Sequence, residues 1–177
     1  RAKQAGHDFN YAALTGALWY ASGVGDRPQT PPTVVGDIGG GALYLVVGML
    51  TGILRARDTG QGCVVDAAIV DGAAHMMNLL MSLQSNNSLS EARGQSLLDG
   101  PHWSRCYVCS DEAYMSVQCL EPKFYEQFLD VLGLQDTEAF AEQYNPKLWP
   151  DQARALASIF AAKPQSHWTE LFEGSDA

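Results

Sequence analysis

Basic residues are scarce in this chain: 11 lysines and arginines stand against 20 aspartates and glutamates, a formal net charge of −9. No basic stripe is left to grip phosphates, which excludes a nucleic acid or an anionic membrane surface as partner. Cysteine is sparse as well, with four in 177 residues. That is too few for a disulfide framework and fits reduced thiols in a cytoplasmic type of compartment. Long apolar runs are missing: the longest, "ALYLVVGMLTGIL" from Ala42 to Leu54, is short and glycine-broken for a bilayer span, so no membrane partner is expected. No secretory leader opens the chain. It begins "RAKQAG" without methionine and closes on "FEGSDA", which reads as a piece cut from a longer protein. Repeats and low-complexity tracts are absent. What the chain does have is 46% hydrophobic residues, enough for a real apolar core.

The patterning predicts a helical first half and a smaller α+β second half, split near residue 95 into parts 1–95 and 96–177. A helix is expected over 8–21, with Leu14, Leu18 and Tyr20 on one face and Ser22-Gly23 as its stop. "GVGDRPQTPPTVVGDIGGG" (Gly23–Gly41) reads as a loop. A strong helix follows, from about Ala42 to Arg57, closed by "DTGQG". The stretch from Cys63 to Ser85 opens β-branched, like a short strand, and continues as a Met- and Leu-rich helix. Asn86–Gly100 is a polar linker. Arg105–Cys119 gives two short strands around a Ser-Asp-Glu-Ala turn, an antiparallel hairpin. Glu121–Leu134 is amphipathic, with Pro122 in its first turn and Phe124, Phe128, Val131 and Leu132 inward. Two further helices are expected at about 150–162 and 166–173.

Chemistry concentrates at "HDFNYAALTG" (His7–Gly16), where proton-handling groups crowd the start of a helix. The glycine run "GDIGGGA" (Gly36–Ala42) fits neither G-x-G-x-x-G nor a P-loop. Ahead of a helix, such glycines let a ligand approach the backbone, and free N–H groups there favour negative charge. Taken singly, Asp37 is a helix cap, His7 a polar surface residue and Glu121 a partner for the helix dipole. Cys106 and Cys109, three apart on a strand, face opposite sides, and no second pair completes a zinc site, so no metal is expected. Gly48-x-x-x-Gly52 suggests close packing with another helix, and His75 lies among Met76, Met77 and Leu79 as a packing residue. Arg93, His102, Trp103 and Arg105 flank the linker as unranked ligand contacts.

Three motifs carry a resemblance that the single residues do not. "GHDFNYAALTG", "VVGDIGGGALYLVVGMLTGILRARDTGQGCVVDAAIVDG" and "LEPKFYEQF", in this order and over most of the chain, resemble the α-methylacyl-CoA racemases, a family within the class III CoA-transferase superfamily. The resemblance implies an α/β fold of that class, in a fragment lacking the family's N-terminal nucleotide-fold segment and its C-terminus. It implies that His7 and Asp37 are the catalytic acid–base pair and that Glu121 orients the histidine. Gly6, Asp8, Phe9, Asn10 and Tyr11 would lie along the acyl-CoA, with the Asp8 amide as donor to the thioester oxygen. The substrate would be a 2-methylacyl-CoA inverted at its α-carbon, with no cofactor beyond the CoA of the substrate itself. The partner would be a second copy in an interlocked homodimer. A cytoplasmic location is expected, or a peroxisomal or mitochondrial one in a eukaryote, and the fragment alone is expected to be inactive.

One departure stands out. After "LLDG" the family often carries a small-residue loop ending in an aromatic, whereas this chain has "PHWSRC" (Pro101–Cys106), which leaves acyl specificity open. Two other functions remain. A CoA-transferase of the same superfamily would use Asp37 as a nucleophile, and a non-catalytic helical interaction module would use the same polar groups only as caps.

Overall fold

In the computed structural model, which describes residues 5–23 and 25–177, the first helix α1 spans Asp8–Leu14. It is shorter than the periodicity suggests because Gly16 takes φ 82°, the left-handed region that ends a helical run. The chain resumes as a 3-10 turn over Ala17–Tyr20. The predicted loop from Gly23 to Gly41, apart from Val24, which lies outside the described residues, is only partly a loop. Val34–Ala42 forms a π-helix that runs without a break into α2, Leu43–Thr59. Its wide turns show in the Ile38 N–H donating to the Thr33 carbonyl at 2.9 Å, five residues back. Gly60, at φ 71°, closes α2 as its cap.

The glycines of that run are consumed by internal packing, which corrects their reading as a ligand approach. α3 spans Ile69–Met76. A Cβ on Gly40 would lie 2.8 Å from the Ala73 nitrogen and the Ile69 carbonyl oxygen of α3, and one on Gly72 would run into the Gly40 carbonyl. Two backbones therefore touch where side chains would hold them apart. The predicted strand at Cys63 is not formed: residues 61–68 are irregular. This segment lies back along α2 instead, where a Cβ on Gly48 would meet Val65 Cγ1 at 2.5 Å and one on Gly52 would meet Cys63 Sγ at 2.9 Å. The Gly48-x-x-x-Gly52 face is thus covered by the chain's own return and not by another helix. A short α4, Asn78–Ser85, ends the first of two compact units, Arg1–Leu89.

The second unit, Ser90–Ala177, follows the sequence pattern closely. β1 (Ser104–Val108) pairs antiparallel with β2 (Tyr114–Gln118), with Ser104 opposite Gln118 and Val108 opposite Tyr114. Arg105, Tyr107, Met115 and Val117 share the inward face, since side chains alternate along a strand. α5 (Pro122–Val131), α6 (Trp149–Phe160) and α7 (Gln165–Phe172) complete the unit with a 3-10 turn at Glu138–Phe140. Trp103, Phe128, Leu156 and Phe160 are fully buried, and Tyr107 stacks on Phe160 with centroids 5.0 Å apart.

Several polar groups in this core are matched to one another, although His102 Nδ1 and Gln152 Oε1 are buried without a hydrogen-bond partner. The Tyr125 hydroxyl donates to the Phe140 carbonyl at 3.0 Å, so the His102 Nε2, 2.7 Å from the same oxygen, is the N–H donor of that pair. Trp103 and Trp149 both donate their indole N–H to the Gln143 carbonyl, at 3.2 and 2.9 Å. His102 and Trp103 are therefore core residues, not the ligand contacts the linker position suggested.

Candidate active site

The stretch from Gly6 to Tyr11 builds a turn that holds one side chain out. His7 is the extended residue before α1, at φ −134° and ψ 174°. Its carbonyl accepts the N–H of Asn10 at 2.9 Å and of Tyr11 at 3.2 Å, while Asn10 Oδ1 accepts the His7 N–H at 3.0 Å. The Tyr11 ring lies over Gly6, where a Cβ would stand 2.7 Å from its hydroxyl oxygen. Asn10 and Tyr11 thus fix the backbone beneath His7. His7 itself is an exposed residue.

Asp8 points the other way. The residue is only 8% exposed, and its Oδ1 accepts the backbone N–H of Asp37 at 2.8 Å across 29 positions of sequence. Asp37 sits in the first turn of the π-helix with its carboxylate exposed. Two of the three expected catalytic residues therefore stand on segments of one unit joined by a direct hydrogen bond. Glu121 belongs to the second unit. It is the exposed residue before α5, and its carbonyl accepts the N–H groups of Phe124 and Tyr125 at 3.0 and 3.1 Å.

Two features were missed by sequence reasoning. The Asp8 carboxylate was singled out only for its amide, though an acidic residue in the first turn of a helix that meets another helix start was a usable signal. Tyr44 on α2 and His75 on α3 form a pair, hydroxyl oxygen to Nδ1 at 2.5 Å, with the rings edge-on at 5.6 Å. His75 is exposed and not a buried packing residue.

The remaining candidates separate cleanly. Cys106 is exposed and Cys109 buried. Burial pushes the Cys109 thiol up, and Cys119 up to about 11, so neither supplies a thiolate at neutral pH. No three His, Cys, Asp or Glu side chains converge among the described residues as a metal-binding group. A small apolar cavity in the second unit, lined mainly by Met115, Val117, Phe128, Phe160 and Phe172, contains none of the candidate residues.

The sequence pattern of CoA-transferase family III matches residues 1–177. The chain belongs to CoA-transferase family III. Within that family it is 34% identical over 177 residues to the alpha-methylacyl-CoA racemase of Mus musculus, covering 99% of this chain and 46% of the racemase. It is 23% identical over 180 residues to the cinnamoyl-CoA:phenyllactate CoA-transferase of Clostridium sporogenes, covering 95% of this chain and 43% of the transferase. The solved structure of Rv3272 from M. tuberculosis superposes with a TM-score of 0.70 at 19% identity, over 96% of this chain and 44% of that one. The fold is accordingly that of the class III CoA-transferases. The chain spans less than half the length of these family III relatives.

Proposed function

We propose that the protein containing this chain is an α-methylacyl-CoA racemase, inverting the α-carbon of a 2-methylacyl-CoA through an enolate. The His7 imidazole takes the α-proton from one face, becoming imidazolium, and the Asp37 carboxylic acid returns a proton to the other face as the enolate collapses. One proton leaves the carbon and one arrives, and the reverse reaction exchanges the roles. Glu121 is carried over from the family pattern as the residue that orients the imidazole and favours its charged form. The Asp8 amide, a first-turn donor with no acceptor inside its helix, binds the thioester oxygen as its charge develops. Gly6, Phe9, Asn10 and Tyr11 line the acyl-CoA.

What supports this reading most is the hydrogen bond between Asp8 and the amide of Asp37, which keeps the residue beside His7 against the residue that bears the carboxylate. The identity to the mouse racemase adds to it. The test is solvent deuterium. Full-length protein in deuterium oxide should load the α-carbon of a 2-methylacyl-CoA with deuterium in the absence of any acceptor acid. Exchange that depends on a second acid, or CoA passing to that acid, would instead establish the transferase reading, which the similarity to the clostridial enzyme favours. In that reaction the Asp37 carboxylate attacks the thioester carbonyl, CoA leaves as thiolate, and a mixed anhydride remains.

The partner in this proposal is a second copy in a homodimer, and the location is cytoplasmic or, in a eukaryote, peroxisomal or mitochondrial. Sedimentation of full-length protein without detergent should give a single dimeric species; a monomer, or material that needs detergent to stay dispersed, contradicts that assignment.

A further inference from the structure

The Asp8 carboxylate lies in the first turn of α1, yet it accepts a bond from a different helix. At the start of the π-helix the Asp37 N–H has no acceptor in its own helix, and Asp8 Oδ1 supplies one at 2.8 Å. The fit is specific. Gly36 is buried directly beneath, and a Cβ there would clash with Oδ1 and stand 3.0 Å from Asp8 Cγ. Asp8 Oδ2 is buried with no hydrogen-bond partner. A carboxylate removed from water with half its acceptors idle is a poor device for stability. An anion at the positive end of a helix does hold that end strongly, through a charge-assisted bond and the dipole together.

We infer that the Asp8 side chain is a positioning residue for the reaction, tying the start of α1 to the Asp37 turn and so fixing the spacing of His7 and Asp37. The inference rests on the racemase reading above. Inversion needs both proton carriers at set distances from one carbon, because transfer falls off steeply outside hydrogen-bond reach. Exchange with retention needs only one carrier that trades its proton with solvent. Loosening the tie therefore slows inversion more than exchange. Asparagine keeps an acceptor oxygen for the Asp37 N–H and loses the charge, so it restores part of the function that alanine removes.

Full-length wild type, Asp8→Ala and Asp8→Asn are compared for racemisation kinetics, α-deuterium exchange and protection of the Asp37 amide by NMR hydrogen exchange. Asp8→Ala should lower kcat at least tenfold with KM within threefold, raise the ratio of exchange to inversion, and lose protection at Asp37. Asp8→Asn should recover at least threefold of the lost kcat and regain protection. A kcat for Asp8→Ala within threefold of wild type overturns the inference. So does a fall in kcat with an unchanged ratio of exchange to inversion, or one that asparagine leaves unrepaired, since each marks general damage. Should wild type itself show no exchange without an acceptor acid, the racemase reading fails. Loss of protection in Asp8→Ala then leaves a purely structural bond, which overturns the inference separately and recognisably.

Discussion

At the scale of single residues, the positions with chemical character divided according to burial. His7 and Asp37 keep exposed side chains on anchored backbones, while His102 is sealed in the core of the second unit. Burial lowers the His102 pKa to about 4 and the Arg105 charge adds to this, so the folded unit holds the ring neutral. The unfolded chain binds that proton near the ordinary histidine value of 6.5. Stability from this residue is therefore complete above pH 6.5 and is lost as pH falls towards 4. Because each pKa unit is worth about 1.4 kcal/mol, the full loss is about 3 kcal/mol. An NMR titration of the His102 ring in the full-length protein should show a midpoint near 4; a midpoint at or above 6 contradicts the buried, singly bonded placement. In the sequence His102 reads as an unranked ligand contact beside the linker, because nothing local distinguishes a buried ring from an exposed one. The Gly6–Tyr11 cluster was visible, since its side chains act on their own backbone within four residues.

At the scale of elements, local signals were read well and long-range ones were not. The hairpin, α5 with its first-turn proline, α6 and α7 all follow period, cap and turn chemistry that act over a few residues. The π-helix was lost because glycines are read as loop formers, and only the approach of α3 shows why a helix wants them there. The Cys63 segment carries strand-forming residues, and no strand pairs with it among the described residues. It packs along α2 instead, a contact that propensity does not encode. The backbone contact between the π-helix and α3 carries a clear expectation. Gly72→Ala places a methyl group against the Gly40 carbonyl and should destabilise the fold by about 1–3 kcal/mol, as overpacking does. Urea unfolding of the full-length variant measures it; a change below about 0.5 kcal/mol means that the two backbones do not meet as described.

At the scale of the whole molecule, the first unit leaves a large apolar helix surface exposed. The π-helix and α2 together make a continuous helix, Val34–Thr59, of 26 residues, whose most apolar 18-residue window has a mean hydropathy of 1.6, long and apolar enough by length and composition to cross a membrane. That corrects the expectation of a run too short for a bilayer, which counted the glycine segment as loop. Only 17% of its most apolar window is buried within the chain, and Leu43, Val47, Leu50 and Leu54 stand exposed along it. The family III relatives are more than twice as long as this chain, so the site has to be judged in full-length protein. The most direct measurement is deuterium incorporation and inversion in full-length wild type, His7→Ala and Asp37→Ala, each supplied with one pure epimer of a 2-methylacyl-CoA and no acceptor acid. Wild type should exchange and invert either epimer, and each variant should lose at least about 100-fold in inversion, the scale of a lost acid–base catalyst, while staying folded. Inversion within threefold of wild type in either folded variant would contradict a pair of proton carriers at His7 and Asp37.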